Sequence, residues 1–503
     1  MSALIASGVA AGFCGIDVGT SGVRAVVLTA DGTCVGSGAA PLPPGNRAAG
    51  RHEQDADDWW DALVLAVRGA TAQAGPAVQI RCVALDATSG TVLVQDGNGA
   101  ARGPALMYDD PRATAQARRA QQVGATLWDA LGYRMQPSWA LPKLMWLLEN
   151  DAVSAGDQVV HQSDFLIGRL TGAPVPTDSS HALKMGVDLR DISWPDGIFS
   201  ELGIAASSLL PPVVLACSDI GVIGTAAAAA TGLPAGCTVR AGMTDGCAAQ
   251  IATGALHPGS WSSALGTTLV IKGSTPELIR DRHGAVYCHR NPDGGWLPGG
   301  ASSTGAGAIG SQFPDADADE LSRLTARARL APPVTGVTYA LAGSGERFPF
   351  TAPQAHGFLA GDATSDPQRF AALCQSIAYI ERLSYDVLAT LGAEVSGPVA
   401  FTGGATGNSW WNQLRSDTLG RPAVVPASAQ AATGMAILAA ARPGELAVTA
   451  RKMVQIGARY TPDPARSDAL QPGYVALIDE LVDRQWLAAD LAADVLSTAG
   501  SSS

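Results

Sequence analysis

Asp17-Val18-Gly19-Thr20-Ser21-Gly22 places a glycine-hydroxyl turn between two apolar runs of strand length, Phe13–Ile16 and Val23–Leu28. This pattern predicts a β-hairpin whose tip exposes backbone N–H groups, and the hydroxyls of Thr20 and Ser21 add donors that can hold phosphate. Asp17, at the end of the first strand, can hold a magnesium ion directly or through water. An ordinary hairpin with a capped tip explains one such stretch equally well.

A second stretch repeats the pattern about half a chain later. The run Ser262–Leu265 leads into the turn Gly266-Thr267-Thr268, and the apolar run Leu269–Ile271 follows. Two phosphate-type hairpins at this separation indicate duplicated halves that face one cleft.

A third element contains a glycine-rich turn between a strand and a helix. The strand Val399–Thr402 runs into Gly403-Gly404-Ala405-Thr406-Gly407-Asn408, and a helix with Trp410 and Trp411 follows. Such a turn lets a flat ligand approach the backbone. In this order the three elements resemble the phosphate-one, phosphate-two and adenosine motifs of the actin, sugar-kinase and Hsp70 type of ATPase. The pattern G-x-x-x-x-G-K-[ST] is absent, so a P-loop fold is not supported.

Length and composition indicate a globular protein of two domains. A chain of 503 residues is too long for one hydrophobic core, and its 47% apolar and 16% charged residues are typical of folded proteins. The net charge of −12, with no cluster of Lys and Arg, argues against a nucleic-acid or acidic-membrane partner. An anionic cofactor would therefore be held by backbone amides and a metal ion.

The cysteines and the apolar segments predict a cytoplasmic protein. The eight cysteines show neither C-x-x-C pairs nor short regular spacing, which favours reduced core residues over disulfides or a zinc site. The first sixteen residues lack the basic start of a signal peptide, and no run reaches the ~18 apolar residues that span a bilayer.

Polar residues follow two predicted strands of the first half. The strand Ile80–Leu85 ends in Asp86-Ala87-Thr88-Ser89-Gly90, and a second strand ends in Tyr108-Asp109-Asp110-Pro111-Arg112. Residues at such strand ends can line a cleft. The two adjacent carboxylates indicate either a sugar-binding site or simply the start of a helix.

Asp245 stands where a strand stops at Gly242 and a helix of small residues begins. Local sequence alone favours a helix N-cap. However, the position lies between the two halves, just before the second hairpin, where a carboxylate would face the cleft.

Taken together, residues 12 to 450 resemble the FGGY family of carbohydrate kinases. Lys143–Asn150 is similar to the family's K-x-x-W signature, although Ala140 stands where that pattern has Pro, Ser or Thr. Ser89 stands where the G-Q-M-H-G motif of xylulokinases has histidine. Together with His181–Gly186, Gly242–Asp245 and Val286–Arg290, this difference resembles the D-ribulose kinase branch.

The resemblance implies an α/β fold with two ribonuclease-H-like domains of the actin, sugar-kinase and Hsp70 type, and an ATP and sugar cleft between them. Residues 1–255 would form the N-terminal domain, which binds sugar and phosphate. Residues 256–455 would form the C-terminal, nucleotide-binding domain, and residues 456–503 a helical tail.

The resemblance also implies ATP-dependent transfer of the γ-phosphoryl group to a primary hydroxyl of a ketopentose, D-ribulose first, with Mg²⁺ as the metal. Asp245 matches the general base, and Asp17 would hold the metal. The implied substrate-binding residues are Asp17, Ser89, Asp110 and Asp245. The implied ATP-binding residues are Thr20, Ser21, Gly266, Thr267, Gly403, Gly404, Ala405 and Asn408.

Three other functions stay open. The acceptor could be another ketose or a polyol, such as xylulose or glycerol; the chain could be a non-transferring actin-like ATPase; or it could be a silent regulator that binds sugar. The sequence is compatible with a homo-oligomer and does not define the oligomeric state.

Overall fold

The computed structural model describes residues 9–48, 50–361 and 363–500. Residues 1–8 and 501–503, which belong to the predicted first domain and the predicted tail, lie outside the described residues. The chain forms two compact units, and each is considered by itself.

The strands follow one another along the chain as β1 Ala10–Val18, β2 Gly22–Thr29, β3 Cys34–Pro41, β4 Glu53–Gln54, β5 Val78–Ala87, β6 Val92–Gln95, β7 Ala105–Leu106, β8 Gln158–His161, β9 Thr177–Asp178, β10 Val213–Val214, β11 Asp219–Val222, β12 Thr238–Arg240, β13 Trp261–Leu265, β14 Leu269–Gly273, β15 Tyr287–Arg290, β16 Trp296–Ser302, β17 Thr338–Glu346, β18 Ala352–Leu359, β19 Val399–Thr402, β20 Ala423–Pro426 and β21 Ile456–Tyr460.

The α-helices are α1 Ala56–Ala74, α2 Thr114–Val123, α3 Ala125–Leu131, α4 Ala140–Glu149, α5 Gln162–Thr171, α6 Ser179–Ala182, α7 Asp196–Glu201, α8 Ala206–Leu209, α9 Thr225–Thr231, α10 Asp245–Thr253, α11 Gly307–Gln312, α12 Ala318–Ala328, α13 Asp366–Thr390, α14 Ser409–Leu419, α15 Ala431–Ala440, α16 Leu446–Met453, α17 Pro464–Asp483 and α18 Ala489–Gly500.

The first unit comprises Met1–Gly254, His289–Gly295 and Ser428–Gln455, within the limits of the described residues. Its main sheet has the strand order β11-β12-β5-β1-β2-β3. On one side of β1, β2 is antiparallel to β1 and β3 is antiparallel to β2. On the other side, β5 and β12 run parallel to β1. The carboxyl ends of β1, β5 and β12 therefore meet at one edge of the sheet, where ligands of α/β proteins bind.

The predicted first hairpin is present. β1 and β2 pair up to Val18 and Val23, and the turn between them is closed by a hydrogen bond from the Gly19 N–H to the Gly22 carbonyl, 3.1 Å. β1 buries Cys14, Ile16 and Val18 completely, because its alternate side chains face the core.

Helix α15 packs closely on this sheet because glycine stands at the contact. A Cβ atom on Gly15 would lie 1.9 Å from the Ala432 carbonyl oxygen, and one on Gly434 would lie 1.9 Å from the Ala248 carbonyl oxygen. Only glycine permits such an approach of helix to strand and of α15 to α10. Residues 428–455, assigned from the sequence to the second domain, thus pack within the first unit.

The second unit comprises Ala255–Cys288, Trp296–Ala427 and Ile456–Ser503, again within the described residues. Its main sheet has the order β15-β16-β14-β13-β19-β20-β21. β14 is antiparallel to β13, β16 is antiparallel to β14, and β19 and β20 continue the sheet in parallel. This arrangement repeats that of β2, β3, β5 and β12 around β1, which confirms the predicted α/β fold with two ribonuclease-H-like domains.

Two further predictions concern membranes and disulfides. Within the described part of the chain, no helix is long and apolar enough to cross a membrane. All eight cysteines are free thiols, and seven of them are buried.

Candidate active site

Three aspartates lie at neighbouring strand ends of the first unit. Asp17 is in register with Asp86 across the β1–β5 ladder, and Ala87 forms a parallel bridge with Thr244, the residue before Asp245. The sheet order therefore brings together Asp17, predicted as a metal ligand, and Asp245, predicted as the general base. It adds Asp86 between them.

Asp86 is completely buried, and neither of its carboxyl oxygens receives a hydrogen bond. Burial raises the pKa of Asp86 well above its usual value, and the charges of Asp17 and Asp245 raise it further. Burial likewise raises the pKa of Asp17. A side-chain hydrogen bond with Asp86 opposes that shift, and so does Arg24, whose Nη1 lies 3.6 Å from Asp17 Oδ2. The folded state thus favours the protonated, neutral form of Asp86 beside the other two aspartates.

Asp245 is exposed and begins α10. The N-cap is Thr244 rather than Asp245, so the capping explanation suggested by local sequence is wrong. Ser180 fixes that cap, because its Oγ accepts a hydrogen bond from the Thr244 N–H at 3.1 Å. The Asp245 carboxylate accepts the N–H of the adjacent Gly246 at 2.7 Å and, being exposed, can face a substrate.

Ser89, a predicted sugar ligand, has a buried hydroxyl without a hydrogen-bond partner. The backbone around it is fixed by two lysines. Lys184 Nζ donates to the Ser89 carbonyl at 2.9 Å, and the fully buried Lys143 donates to the Gly90 carbonyl at 3.0 Å and to that of Met107. An unpartnered hydroxyl on a fixed backbone is suited to a polyhydroxy ligand.

The sequence prediction that Asp110 binds sugar meets a structural objection. Asp110 Oδ1 accepts the N–H and Nε of Arg112, and Oδ2 accepts Arg112 Nη2 at 2.6 Å and the His52 N–H at 2.8 Å. These four bonds engage both carboxyl oxygens, and the residue is completely buried. Burial alone would raise the pKa of Asp110, but the Arg112 guanidinium and the N–H groups hold it below its usual value. Asp110 therefore orients Arg112 and is not free to contact sugar directly.

Tyr108 is a residue of the site that the sequence prediction did not single out. Its ring is 39% exposed, and its pKa is raised by burial and by the charges of Asp109 and Asp245. Asp109 itself is held by His52 and by Arg47 at 2.9 Å. An exposed aromatic ring near Asp245 can pack against the apolar face of a sugar.

The first phosphate turn is anchored on its inner side. Gln54 Nε2 donates to the Thr20 carbonyl at 2.8 Å, and the Leu42 N–H donates to the Ser21 carbonyl at 3.0 Å. Ser21 is exposed and Thr20 half-buried. The Thr20 and Ser21 carbonyls thus accept hydrogen bonds from the protein itself, which leaves the outer side of the turn for a ligand.

The second unit contains the other predicted nucleotide residues. β13 and β14 form the predicted hairpin, in which Thr267 is exposed at the tip. Gly403 has a φ of 85°, and a Cβ atom there would lie 2.4 Å from the Leu265 carbonyl oxygen. Glycine is therefore required where β19 meets the end of β13.

A cavity of about 780 Å³ opens beside this turn. Gly404, Ala405 and Asn408, all predicted to border adenosine, lie in its wall. The Asn408 amide is held in place, since its Nδ2 donates to Thr325 Oγ1 at 2.9 Å and its oxygen accepts the Trp411 N–H at 3.1 Å. Apolar side chains that the sequence prediction did not name, Ile309, Phe313, Leu321 and Phe370, complete the wall. Such a cavity fits a flat, largely apolar base.

The described residues include no group of three or more His, Cys, Asp or Glu side chains arranged to hold a metal ion. The donor set at Asp17 and Asp86 nevertheless fits magnesium, because it offers carboxylate oxygens that few N–H groups compete for. Mg²⁺ is usually bound by one or two carboxylates together with phosphate and water.

Similarity to known proteins extends over most of the chain. Residues 13–252 match the N-terminal domain of the FGGY family of carbohydrate kinases, and residues 262–442 match its C-terminal domain. The chain is 30% identical to the xylulose kinase of Streptomyces rubiginosus over 429 residues, which cover 83% of this chain and 84% of that protein. It is 28% identical to the glycerol kinase of Agrobacterium fabrum over 455 residues, 85% of this chain and 89% of that protein.

The fold is similar to that of solved structures. The crystal structure of xylulose kinase from Rhodospirillum rubrum superimposes with a TM-score of 0.83 at 23% identity, covering 94% of this chain and 98% of the other. Plasmodium falciparum glycerol kinase with ADP gives a TM-score of 0.80 at 16% identity, covering 95% of this chain and 99% of the other.

Proposed function

The chain belongs to the FGGY family of carbohydrate kinases, and from that premise we propose that this ATP-dependent sugar kinase phosphorylates a ketopentose, D-ribulose in preference to D-xylulose. The supporting observation is the Ser89 hydroxyl, buried without a partner at the strand end beside the three aspartates. Xylulokinases of this family have histidine at that point of the motif. A serine there leaves more room and offers one hydroxyl to the sugar.

Asp245 acts as the general base of the transfer. It accepts the proton of the sugar hydroxyl while that oxygen forms a bond to the γ-phosphorus, the bond to the β,γ-bridging oxygen breaks, and its electron pair leaves with ADP. Exposure of the Asp245 carboxylate at the start of α10 supports this role. The buried Asp86 and Asp17 restrict where the attacking hydroxyl can lie.

Nucleotide binding uses both hairpin turns. Thr20 and Ser21 in one unit, and Gly266 and Thr267 in the other, contact the phosphates of ATP, and adenosine enters the cavity bordered by Gly404, Ala405 and Asn408. Asp17 holds Mg²⁺, and the metal when bound neutralises the charge that develops on the phosphates.

D-xylulose is the second candidate, because xylulose kinases are prominent among the relatives. Glycerol is a third candidate acceptor, because the chain is similar to a glycerol kinase. A cytoplasmic location is compatible with the eight free thiols.

Steady-state kinetics on the purified protein test the proposal. ADP release is measured with D-ribulose, D-xylulose, glycerol and D-gluconate, and without any acceptor. We expect the kcat/KM for D-ribulose to exceed that for D-xylulose by about ten- to a hundredfold, since one unpaired buried polar group costs about 1–3 kcal/mol. A preference for D-xylulose would reject the ribulose assignment and keep the kinase. ATP turnover that none of these acceptors stimulates would reject both the ribulose assignment and the sugar-kinase function.

A further inference from the structure

We propose that Glu346 is a positioning residue for the phosphates of ATP: it fixes the loop of residues 302–307 against the second hairpin turn, residues 266–268. The inference rests on the proposed function, in which that turn contacts the terminal phosphates. All these residues belong to the second unit.

Glu346 is a buried carboxylate, 2% exposed, that gathers hydrogen bonds from three segments. Two hydroxyls of the loop and one of β17 donate to Oε2, and backbone N–H groups donate to Oε1. The donors to Oε2 are Ser302 Oγ (3.0 Å), Thr304 Oγ1 (3.0 Å) and Tyr339 OH (2.7 Å), and the donors to Oε1 are the N–H groups of Ser303 (2.6 Å), Arg347 (3.0 Å) and Phe348 (3.5 Å). The carboxylate thus determines the path of the loop from Ser302 to Thr304.

The same loop is bonded to the hairpin turn through its backbone. The Leu269 N–H donates to the Thr304 carbonyl at 2.8 Å, the Ala306 N–H to that of Gly266 at 2.8 Å, and the Gly307 N–H to that of Thr267 at 3.1 Å. The loop and the turn are in close contact, because a Cβ atom on Gly305 would lie 2.4 Å from the Thr267 carbonyl oxygen. A shift of the loop must therefore shift the turn.

These contacts give Glu346 an indirect part in phosphate binding. The carbonyls of Gly266 and Thr267 are fixed by the loop, and because the peptide group is planar this also fixes the orientation of the N–H groups of Thr267 and Thr268. Backbone donors bind phosphate well only when they are preorganised, and a misplacement of about 1 Å can cost a hundredfold in rate. A buried carboxylate suits this task because it accepts from several donors at once.

The variant Glu346→Gln tests the inference. The glutamine side chain fits the same space, but its NH₂ group faces N–H and O–H donors from which it cannot accept a hydrogen bond. We expect the dissociation constant of MgATP to rise by at least about tenfold, while that of adenosine and the KM of the sugar stay within about twofold. The matched control is Asp281→Asn, because Asp281 is also a buried carboxylate of this unit and accepts the N–H groups of residues 283, 285 and 286 in a different loop.

The outcomes separate the inference from the proposed function. MgATP affinity of Glu346→Gln within about twofold of the control, or a parallel loss of adenosine affinity, would overturn the positioning role. Wild-type protein that binds MgATP but phosphorylates no sugar would reject the proposed function and leave the effect on MgATP measurable. If Glu346→Gln does not fold, Thr304→Val, which removes a single donor, must weaken MgATP without weakening adenosine; otherwise the inference fails.

Discussion

Asp86 lies beside Asp17 in the parallel ladder between β1 and β5, and neither carboxyl oxygen of Asp86 receives a hydrogen bond. Natural cores pair a buried carboxylate with a cation or with several donors, because an unpaired buried charge is strongly unfavourable. The first unit pairs Asp110 with Arg112 in this way, yet leaves Asp86 without donors. Unpaired acidic groups of this kind concentrate at functional sites, where a ligand supplies the missing partner.

Replacing Asp86 by asparagine should stabilise the protein and reduce its activity. Burial raises the pKa of Asp86, so the folded state keeps a proton that the unfolded chain releases above about pH 3.9. Stability is therefore lost as pH rises from that value towards the folded pKa. We expect the free energy of unfolding of Asp86→Asn to exceed that of the wild type at pH 8 by on the order of 1–3 kcal/mol, and the gap to shrink towards pH 4. Denaturant unfolding at several pH values measures the stability difference at pH 8 and its decrease towards pH 4. A variant less stable than the wild type at pH 8 would contradict the prediction.

Replacing Asp245 by asparagine should remove the general base and keep the fold. We expect kcat to fall by at least about a hundredfold, the usual effect of losing a positioned base, with MgATP binding unchanged. The control is Asp129→Asn, which alters an exposed carboxylate of the same unit. Near-normal turnover of Asp245→Asn at saturating sugar would assign the base elsewhere.

Asp17→Ala should change the magnesium dependence of the reaction. Without this carboxylate we expect the magnesium concentration for half-maximal activity to rise by at least about tenfold, because the metal loses a protein ligand. The sugar dissociation constant should change less than the magnesium dependence. Asp31→Ala, in the exposed turn after β2, serves as the control, and equal magnesium titrations of both variants would exclude Asp17 as the ligand.

Ser89→Ala should weaken the use of the sugar and spare that of the nucleotide. The Ser89 hydroxyl has no protein partner, so its loss removes a hydrogen bond to substrate without leaving a buried group unsatisfied in the free enzyme. We expect kcat/KM for D-ribulose to fall by about tenfold with an unchanged KM for ATP. Ser200→Ala, at an exposed site of the same unit, controls for the loss of any serine. An unchanged kcat/KM would place the sugar elsewhere.

Lys143→Met should change how stability depends on pH. Burial lowers the pKa of Lys143 to about 7, and the charge of Lys184 acts in the same direction. Between that value and the lysine pKa of the unfolded chain, near 10.4, the unfolded chain binds more protons than the folded one. In this range the lysine therefore makes the free energy of unfolding rise with pH, by up to about 1.4 kcal/mol per pH unit. The variant should lose this slope between about pH 7 and pH 10, whereas the exposed Lys452→Met should keep it. Parallel slopes of Lys143→Met and wild type would contradict the prediction.

The predicted hairpins and the predicted turn after β19 were readable because each is a local pattern. Glycine and threonine between two apolar runs determine a β-hairpin whatever surrounds it, so the turns at residues 19–21 and 266–268 follow from the sequence. The repeat of these turns also indicated duplicated halves, which the two sheets confirm.

The partners of each carboxylate could not be read in this way. Asp86 and Asp110 are both strand-end aspartates in the sequence, yet one has no donor and the other has four. The difference depends on His52, which is distant in the chain, and on the orientation of Arg112. Glu346 likewise gains its role from its bonds to Ser302 and Thr304, which lie about forty positions earlier in the chain.

The sequence by itself thus determined the strands, the glycine turns and the α/β class, because backbone preferences and apolar periodicity act over a few residues. Which strand ends become neighbours, and therefore which aspartates share a site, could be seen only once the chain was folded. The physical reason is that sheet order and burial depend on contacts between distant segments, and these contacts control the hydrogen bonds and the pKa of every carboxylate at the edge of the sheet.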